Sequence, residues 1–194
     1  MTNDEAVALF ETAGALLSGH FRLSSGLHSP RYLEKFRLVE EPRLLEPLCE
    51  ELAGRFAGDG VECVLGPTTA GIILAYNLAR MLDVSARYAE RMEGAGRGLR
   101  RGQILAPGTR VLVVDDVMTT GGAVVECARI VERHGACLVG IGVLADRSGG
   151  TIPLPARLEA VLSVAVPAYS PDVCPLCAAG MLISQPGTSA GSRE

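Results

Sequence analysis

The chain has 194 residues, 48% hydrophobic and 21% charged, with a net charge of −4 and a pI near 5.5. This composition suits one soluble domain with a sizeable core and excludes a global basic field for nucleic acid or acidic lipid. Aromatics are only 4%, no apolar run approaches the roughly 18–20 residues of a membrane span, and the acidic start Met1-Thr2-Asn3-Asp4-Glu5 is unlike a secretory leader, so a cytoplasmic protein with no nucleic-acid or membrane partner is expected.

Residues 4–17 pattern as an amphipathic helix. The following HFRLSSGLHSPRYLEKFRL has turn signals at Ser25-Gly26 and Ser29-Pro30 between short alternating segments. It predicts a small β-rich hood over about 18–40. Residues 61–65 read as a strand ending at Gly66-Pro67, 70–82 as a helix and 84–89 as a short strand. Residues 91–102, RMEGAGRGLRRG, hold four glycines and four arginines and predict a mobile loop. A strand at 111–114 precedes a helix over 122–134 capped by Gly135. Further strands are expected at 138–144 and 161–166. Strands alternating with helices imply right-handed crossovers and a parallel sheet covered on both faces. The tail from Ser184, SQPGTSAGSRE, is small and polar and is expected to be disordered, leaving residues 1–183 as one domain.

Six cysteines are present. Cys49, Cys63, Cys127 and Cys137 sit singly in apolar contexts and read as buried small hydrophobes. Cys174 and Cys177 form a CxxC pair, which is half a structural zinc site. His134, the histidine nearest in sequence, is far away, so the pair reads as a turn with reduced thiols and no metal ligand set is assigned.

The stretch VLVVDDVMTTGGAV, residues 111–124, carries the chemistry. In an open parallel sheet, ligands bind beyond the carboxyl ends of the strands. Asp115 and Asp116 stand at such an end, and Thr119, Thr120, Gly121, Gly122 and Ala123 open the next helix. The free N–H groups and dipole of a helix start cradle an anion, and glycine lets the backbone approach a phosphate. Donors for a phosphate beside two acceptors for hydroxyls suit a sugar phosphate. The stretch is neither a P-loop nor GxGxxG.

It closely resembles the PRPP-binding motif of type I phosphoribosyltransferases. The resemblance implies that family's α/β fold, a mostly parallel central sheet flanked by helices with a small N-terminal β-rich hood. It implies Asp115 and Asp116 on the ribose 2- and 3-hydroxyls, Thr119, Thr120, Gly121, Gly122 and Ala123 on the 5-phosphate, and Val117 and Met118 among the PRPP-binding residues. Gly66-Pro67-Thr68-Thr69-Ala70-Gly71 resembles the pyrophosphate loop, which places Thr68 and Thr69 on PRPP.

That stretch and two others are similar to the orotate phosphoribosyltransferases within that family. One of the two is Phe21-Arg22-Leu23-Ser24-Ser25-Gly26-Leu27-His28-Ser29-Pro30-Arg31-Tyr32, whose Tyr32 matches an aromatic residue packing on the pyrimidine. The other is Leu144-Ala145-Asp146-Arg147, whose arginine offers a planar fork to a carboxylate. A purine has no carboxylate. The resemblance, which spans about residues 10–147, implies orotate contacts at Ser24, Tyr32, Thr119 and Arg147, and the CxxC ending resembles a compact bacterial subgroup.

The departures concern charge. Lysines common in the family are replaced by Ser24 and Ala70, and the 91–102 loop has neither lysine nor histidine. Arg91, Arg97, Arg100 and Arg101 can neutralise a leaving pyrophosphate, but guanidinium keeps its proton and is no general acid. The resemblance implies PRPP binding by Arg91 and Arg100, catalytic roles for Asp115, Asp116 and Arg91, and Mg²⁺ held mainly by substrate and water. It further implies a homodimer in which the loop reaches the neighbouring site, and orotidine 5-monophosphate production on the route to UMP. Transfer to a purine or other base, and a PRPP-sensing regulator without turnover, are the alternatives.

Overall fold

The computed structural model describes residues 1–23, 25–94 and 96–186. Helix α1 (Asn3–Thr12) starts on a capping box: the Thr2 hydroxyl accepts from Glu5 N–H, and the Glu5 carboxylate accepts from Thr2 N–H at 2.7 Å. It ends at Gly14, whose φ of +65° turns the chain, with Ala15 N–H bonded to Phe10 C=O. The helix expected to reach residue 17 therefore stops earlier, and Leu16 and Leu17 open a strand. β1 (Leu16–Arg22) and β2 (His28–Leu33) form a two-stranded antiparallel sheet, the hood, followed by the short helix α2 (Phe36–Glu40).

Helix α3 (Pro42–Gly54), which the sequence pattern above does not anticipate, begins with Pro42 at its first turn and buries Leu45, Leu48, Cys49 and Leu52 at helical spacing. Next come β3 (Cys63–Pro67), α4 (Ala70–Leu82), β4 (Ser85–Arg91), β5 (Arg97–Gly98), β6 (Arg110–Met118), α5 (Gly122–Arg133), β7 (Cys137–Asp146) and β8 (Leu158–Ser163). The sheet order is β5-β4-β3-β6-β7-β8, parallel except for β5. Alternate residues serve opposite faces: Val64, Leu112 and Val114 join α1, α3 and α4 in one core, while Leu65, Val111 and Val113 join α5 in the other.

Several expectations shift. The 91–102 stretch is not a loop throughout: β4 extends to Arg91 and pairs with β5 as a hairpin, because Arg97 is buried and bonded instead of solvated. β6 runs through the acidic pair to Met118, since its ladder with β7 continues from Asp115 opposite Val143 to Met118 opposite Asp146. β8 lies earlier than expected, at the register of Leu158 opposite Ile141. Cys137 is exposed at the start of β7, whereas Cys49, Cys63 and Cys127 are buried. Burial pushes the Cys49 and Cys127 thiols up to about 12, so they stay protonated and inert. Ser184, assigned above to the tail, instead bonds the hood through its backbone. Residues 187–194 lie outside the described residues.

From β3 the chain crosses through α4 to β4 on one side; from β6 it crosses through α5 to β7 on the other. The direction of winding therefore reverses between β3 and β6. β6 pairs with β3 only as far as Val113, so a crevice opens there beside the carboxyl ends of both strands.

Candidate active site

Two turns enclose that crevice. The β3–α4 turn packs backbone against backbone: a Cβ on Gly66 would lie 2.0 Å from Gly71 O, which explains glycine at both positions. The second turn enters α5 through Gly121, whose φ of +72° lies in the left-handed region. No side chain caps α5, so its first N–H groups point into the crevice. A cavity of ≈270 Å³ results, lined by Thr68, Thr69, Ala70, Arg91, Asp115, Asp116, Val117, Met118, Thr119, Thr120, Gly121 and Ala123 among others. Sequence-selected residues from two distant turns are thus brought together. Met118 points its side chain into the core and offers only backbone. Gly122, exposed, begins the helix.

The two acidic side chains alternate along β6, Asp116 toward the hood and Asp115 toward α5. Asp116 N–H donates to Asp115 Oδ1 at 2.9 Å, and Val117 N–H to Asp116 Oδ1 at 2.6 Å. The side chain of Asp116 is only 3% exposed; Lys35 Nζ stands 3.1 Å from its Oδ2, which accepts no hydrogen bond. A buried carboxylate oxygen met only by an ammonium out of hydrogen-bond alignment keeps a lone pair for a hydroxyl or a hard cation. Burial, then the adjacent Asp116 carboxylate, pushes Asp115 up to about 7.

Asp115 links the site to stability. Between its unfolded value of 3.8 and about 7, the native chain holds a proton that the unfolded chain has released. Stability of the unliganded protein is therefore expected to fall as pH rises through this window. Thermal midpoints measured at roughly pH 5 and 8 should show the fall in wild type and little of it in Asp115→Asn. An equal fall in both would remove Asp115 as the cause.

Lys35 is a contribution that the motif reading missed, and Arg97, named above only as a charge for pyrophosphate, takes a different part. Lys35 is the sole lysine of the chain, a signal present in composition. Arg97 Nη1 donates to Thr68 Oγ1 at 3.1 Å and to Thr68 C=O at 3.3 Å, and its Nε stands 3.3 Å from Glu126. It braces the β3–α4 turn and is not a free clamp. Arg91 lines the cavity; Arg100 does not, and stands with Arg101 beside Glu90, at 3.9 and 2.8 Å.

A neighbouring cavity of ≈530 Å³ is lined by Arg22, Leu23, Tyr32, Leu33, Thr119, Thr120, Arg147, Gln185 and others. The two cavities share Thr119 and Thr120. Arg147 follows β7 directly; its Nε is buried with no hydrogen-bond partner, and it forms no ion pair among the described residues. Asp146 instead accepts from Ser148 N–H at 2.7 Å. Burial lowers Arg147, yet a guanidinium stays charged, so this cavity presents a desolvated cation. Tyr32 packs against Phe21, ring centroids 5.7 Å apart. Ser24 lies outside the described residues.

An anion cradle, two carboxylates and a cationic pocket at a winding reversal suit a phosphorylated sugar beside a second, anionic ligand. Residues 43–162 match the family model described as Phosphoribosyl transferase domain, and the chain belongs to that family. It is 50% identical over 188 residues to an orotate phosphoribosyltransferase of Pelotomaculum thermopropionicum, covering 97% of this chain and 98% of the relative. It is 43% identical over 180 residues to that of Thermotoga maritima, covering 93% and 96%. The crystal structure of orotate phosphoribosyltransferase from Aeropyrum pernix superposes with a TM-score of 0.68 at 27% identity, over 81% of this chain and 92% of that one. The adenine phosphoribosyltransferase of Rhodothermus marinus shares the fold at a TM-score of 0.62 and 24% identity, over 82% and 99%. The fold alone therefore does not choose the base.

Proposed function

We propose that this chain transfers the 5-phosphoribosyl group of PRPP to N1 of orotate, giving orotidine 5-monophosphate and pyrophosphate in the cytoplasm. The observation that carries the base assignment is Arg147, a half-buried guanidinium whose Nε is buried and which has no acidic partner among the described residues, in the cavity adjoining the phosphate cradle. The full-length relatives named orotate phosphoribosyltransferase support it.

In this reading the 5-phosphate rests on the turn from Thr119 to Ala123, and Asp115 and Asp116 accept from the ribose hydroxyls. The pyrophosphate lies along Thr68 and Thr69 with Arg91 above it. Tyr32 stacks on the pyrimidine and Arg147 takes the orotate carboxylate, with Thr119 at its edge. The carbon–oxygen bond to pyrophosphate breaks as the bond from N1 to the anomeric carbon forms. The hydrogen on N1 leaves as a proton when that bond forms and passes to pyrophosphate or solvent, so the loop need not supply a general acid; Arg91 offsets charge gathering on the leaving group. The Asp115 and Asp116 carboxylates, with an Asp116 oxygen that accepts no hydrogen bond, fit Mg²⁺, which would supply charge neutralisation on the pyrophosphate. Arg100 and Arg101, exposed and turned from their own cavity, are the groups a homodimer would lend to the neighbouring site.

Incubating the full chain with PRPP, Mg²⁺ and orotate, and following orotate absorbance, is expected to show consumption matched by pyrophosphate release. Consumption of a purine instead would overturn the base assignment. Saturable PRPP binding with no turnover would replace the enzyme with a sensor.

A further inference from the structure

The fold places four groups together that the reaction does not use. His20 on β1, His28 opening β2, and Cys174 and Cys177 from the C-terminal segment bring their ligand atoms within 4.8 Å of one another. The residues are about 150 apart in sequence, His20 and Cys174 by 154 and His28 and Cys177 by 149. We propose that His20, His28, Cys174 and Cys177 form a structural zinc site that clips the C-terminal segment to the hood.

The distances carry the assignment. His20 Nε2 stands 3.1 Å from His28 Nδ1, 3.6 Å from Cys174 Sγ and 3.7 Å from Cys177 Sγ; His28 Nδ1 stands 3.2 Å from Cys177 Sγ. Zinc bonds of about 2.0–2.1 Å to nitrogen and 2.3 Å to sulfur give tetrahedral edges of about 3.3–3.8 Å. Four of the six edges are thus nearly in place. The tautomer is set as well: His20 Nδ1 lies 2.9 Å from the Met181 carbonyl, which only accepts, so Nδ1 carries the hydrogen and Nε2 presents a lone pair. His20 and His28 are 3% and 8% exposed. Zinc binding releases both thiol protons and leaves a site of zero net charge, which suits burial.

Local structure is shaped around the cluster. The register of β1 with β2 slips by one residue between Ser18 and Phe21, leaving Gly19 and His20 opposite Pro30, which has no N–H to pair. The bulge turns His20 and Phe21 both inward. On the other strand, His28 exchanges both backbone hydrogen bonds with Tyr169 at 2.8 Å. Cys174 and Cys177 flank the first turn of the short helix α6 (Pro175–Ala178). Ser184 N–H then bonds His20 C=O, and Arg22 N–H bonds Ser184 C=O.

Hydrophobic burial does not hold this segment, since Val173, Met181, Leu182 and Ile183 are exposed and Cys174 is buried. Immediately beyond it, Gln185 and Pro186 line the same cavity as Tyr32 and Arg147. The ion would therefore fix one wall of the base pocket from outside the reacting centre.

The test is metal analysis of the full chain purified under reducing conditions without chelator. About one zinc per chain is expected, and the chelated, reduced protein titrated with Co²⁺ should develop the visible bands of tetrahedral cobalt with thiolate charge transfer. His20→Ala and the pair Cys174→Ser, Cys177→Ser should lose the ion; His20→Cys, which keeps four ligands, should retain it. Retention by His20→Cys separates lost ligation from misfolding. Absence of zinc together with no cobalt spectrum overturns the proposal. So does a cobalt spectrum unchanged by His20→Ala, or a reduced protein that takes no metal and, once exposed to air as oxidant, only closes a Cys174–Cys177 disulfide.

Discussion

Arg147→Ala is expected to raise the orotate KM by roughly 10- to 100-fold, because a charge-assisted, two-pronged contact contributes about 1.5–3 kcal/mol. The PRPP KM should stay near its wild-type value, since Arg147 lines the larger cavity and not the one holding Asp115 and Asp116. Initial rates with each substrate varied in turn distinguish these effects. Arg147→Lys should recover only part of the loss, because an ammonium keeps the charge but not the planar fork. Removing a cation whose Nε is already orphaned leaves no new buried group unpaired, so the fold should tolerate the change. An unchanged orotate KM in the alanine variant would sink the base assignment while leaving PRPP binding intact.

The double change Asp115→Asn, Asp116→Asn should lower kcat/KM for PRPP by roughly 100-fold or more, the scale on which preorganised polar groups act at a reacting centre. It should also raise the thermal midpoint of the unliganded protein near pH 8. Two adjacent carboxylates with a single ammonium, Lys35 beside Asp116, are a local cost in the unliganded protein; burial and mutual repulsion already displace Asp115 to about 7. Loss of activity with gain of stability is the mark of groups held for a ligand and not for the fold. Steady-state kinetics and thermal melts on the same preparation read both. Near-normal activity, or a lower midpoint, would show that the pair serves packing.

Local constraints made the acidic pair and the turn into α5 legible. An aliphatic run, two acids, two threonines and two glycines lie within one strand, one turn and one helix start, where spacing along the chain fixes spacing in space. The same reasoning stopped short wherever partners were remote. Arg97, in a stretch of glycine and arginine, looks solvated until Thr68 and Glu126 are seen to enclose it. Helix α1 looked longer because its apolar spacing continues past Gly14, and only the left-handed turn there ends it.

By itself, then, the sequence determined the alternation of strands and helices, the family motif at 111–124 and the acidic pair, because each is written in neighbours. Tertiary structure alone decided that Lys35 meets Asp116 across 81 residues and that two histidines of the hood face the C-terminal cysteines. Those meetings depend on strand order, on a one-residue slip in register and on the path of the final segment. No local periodicity encodes them, since a slip of one residue exchanges the faces of a strand without altering its composition.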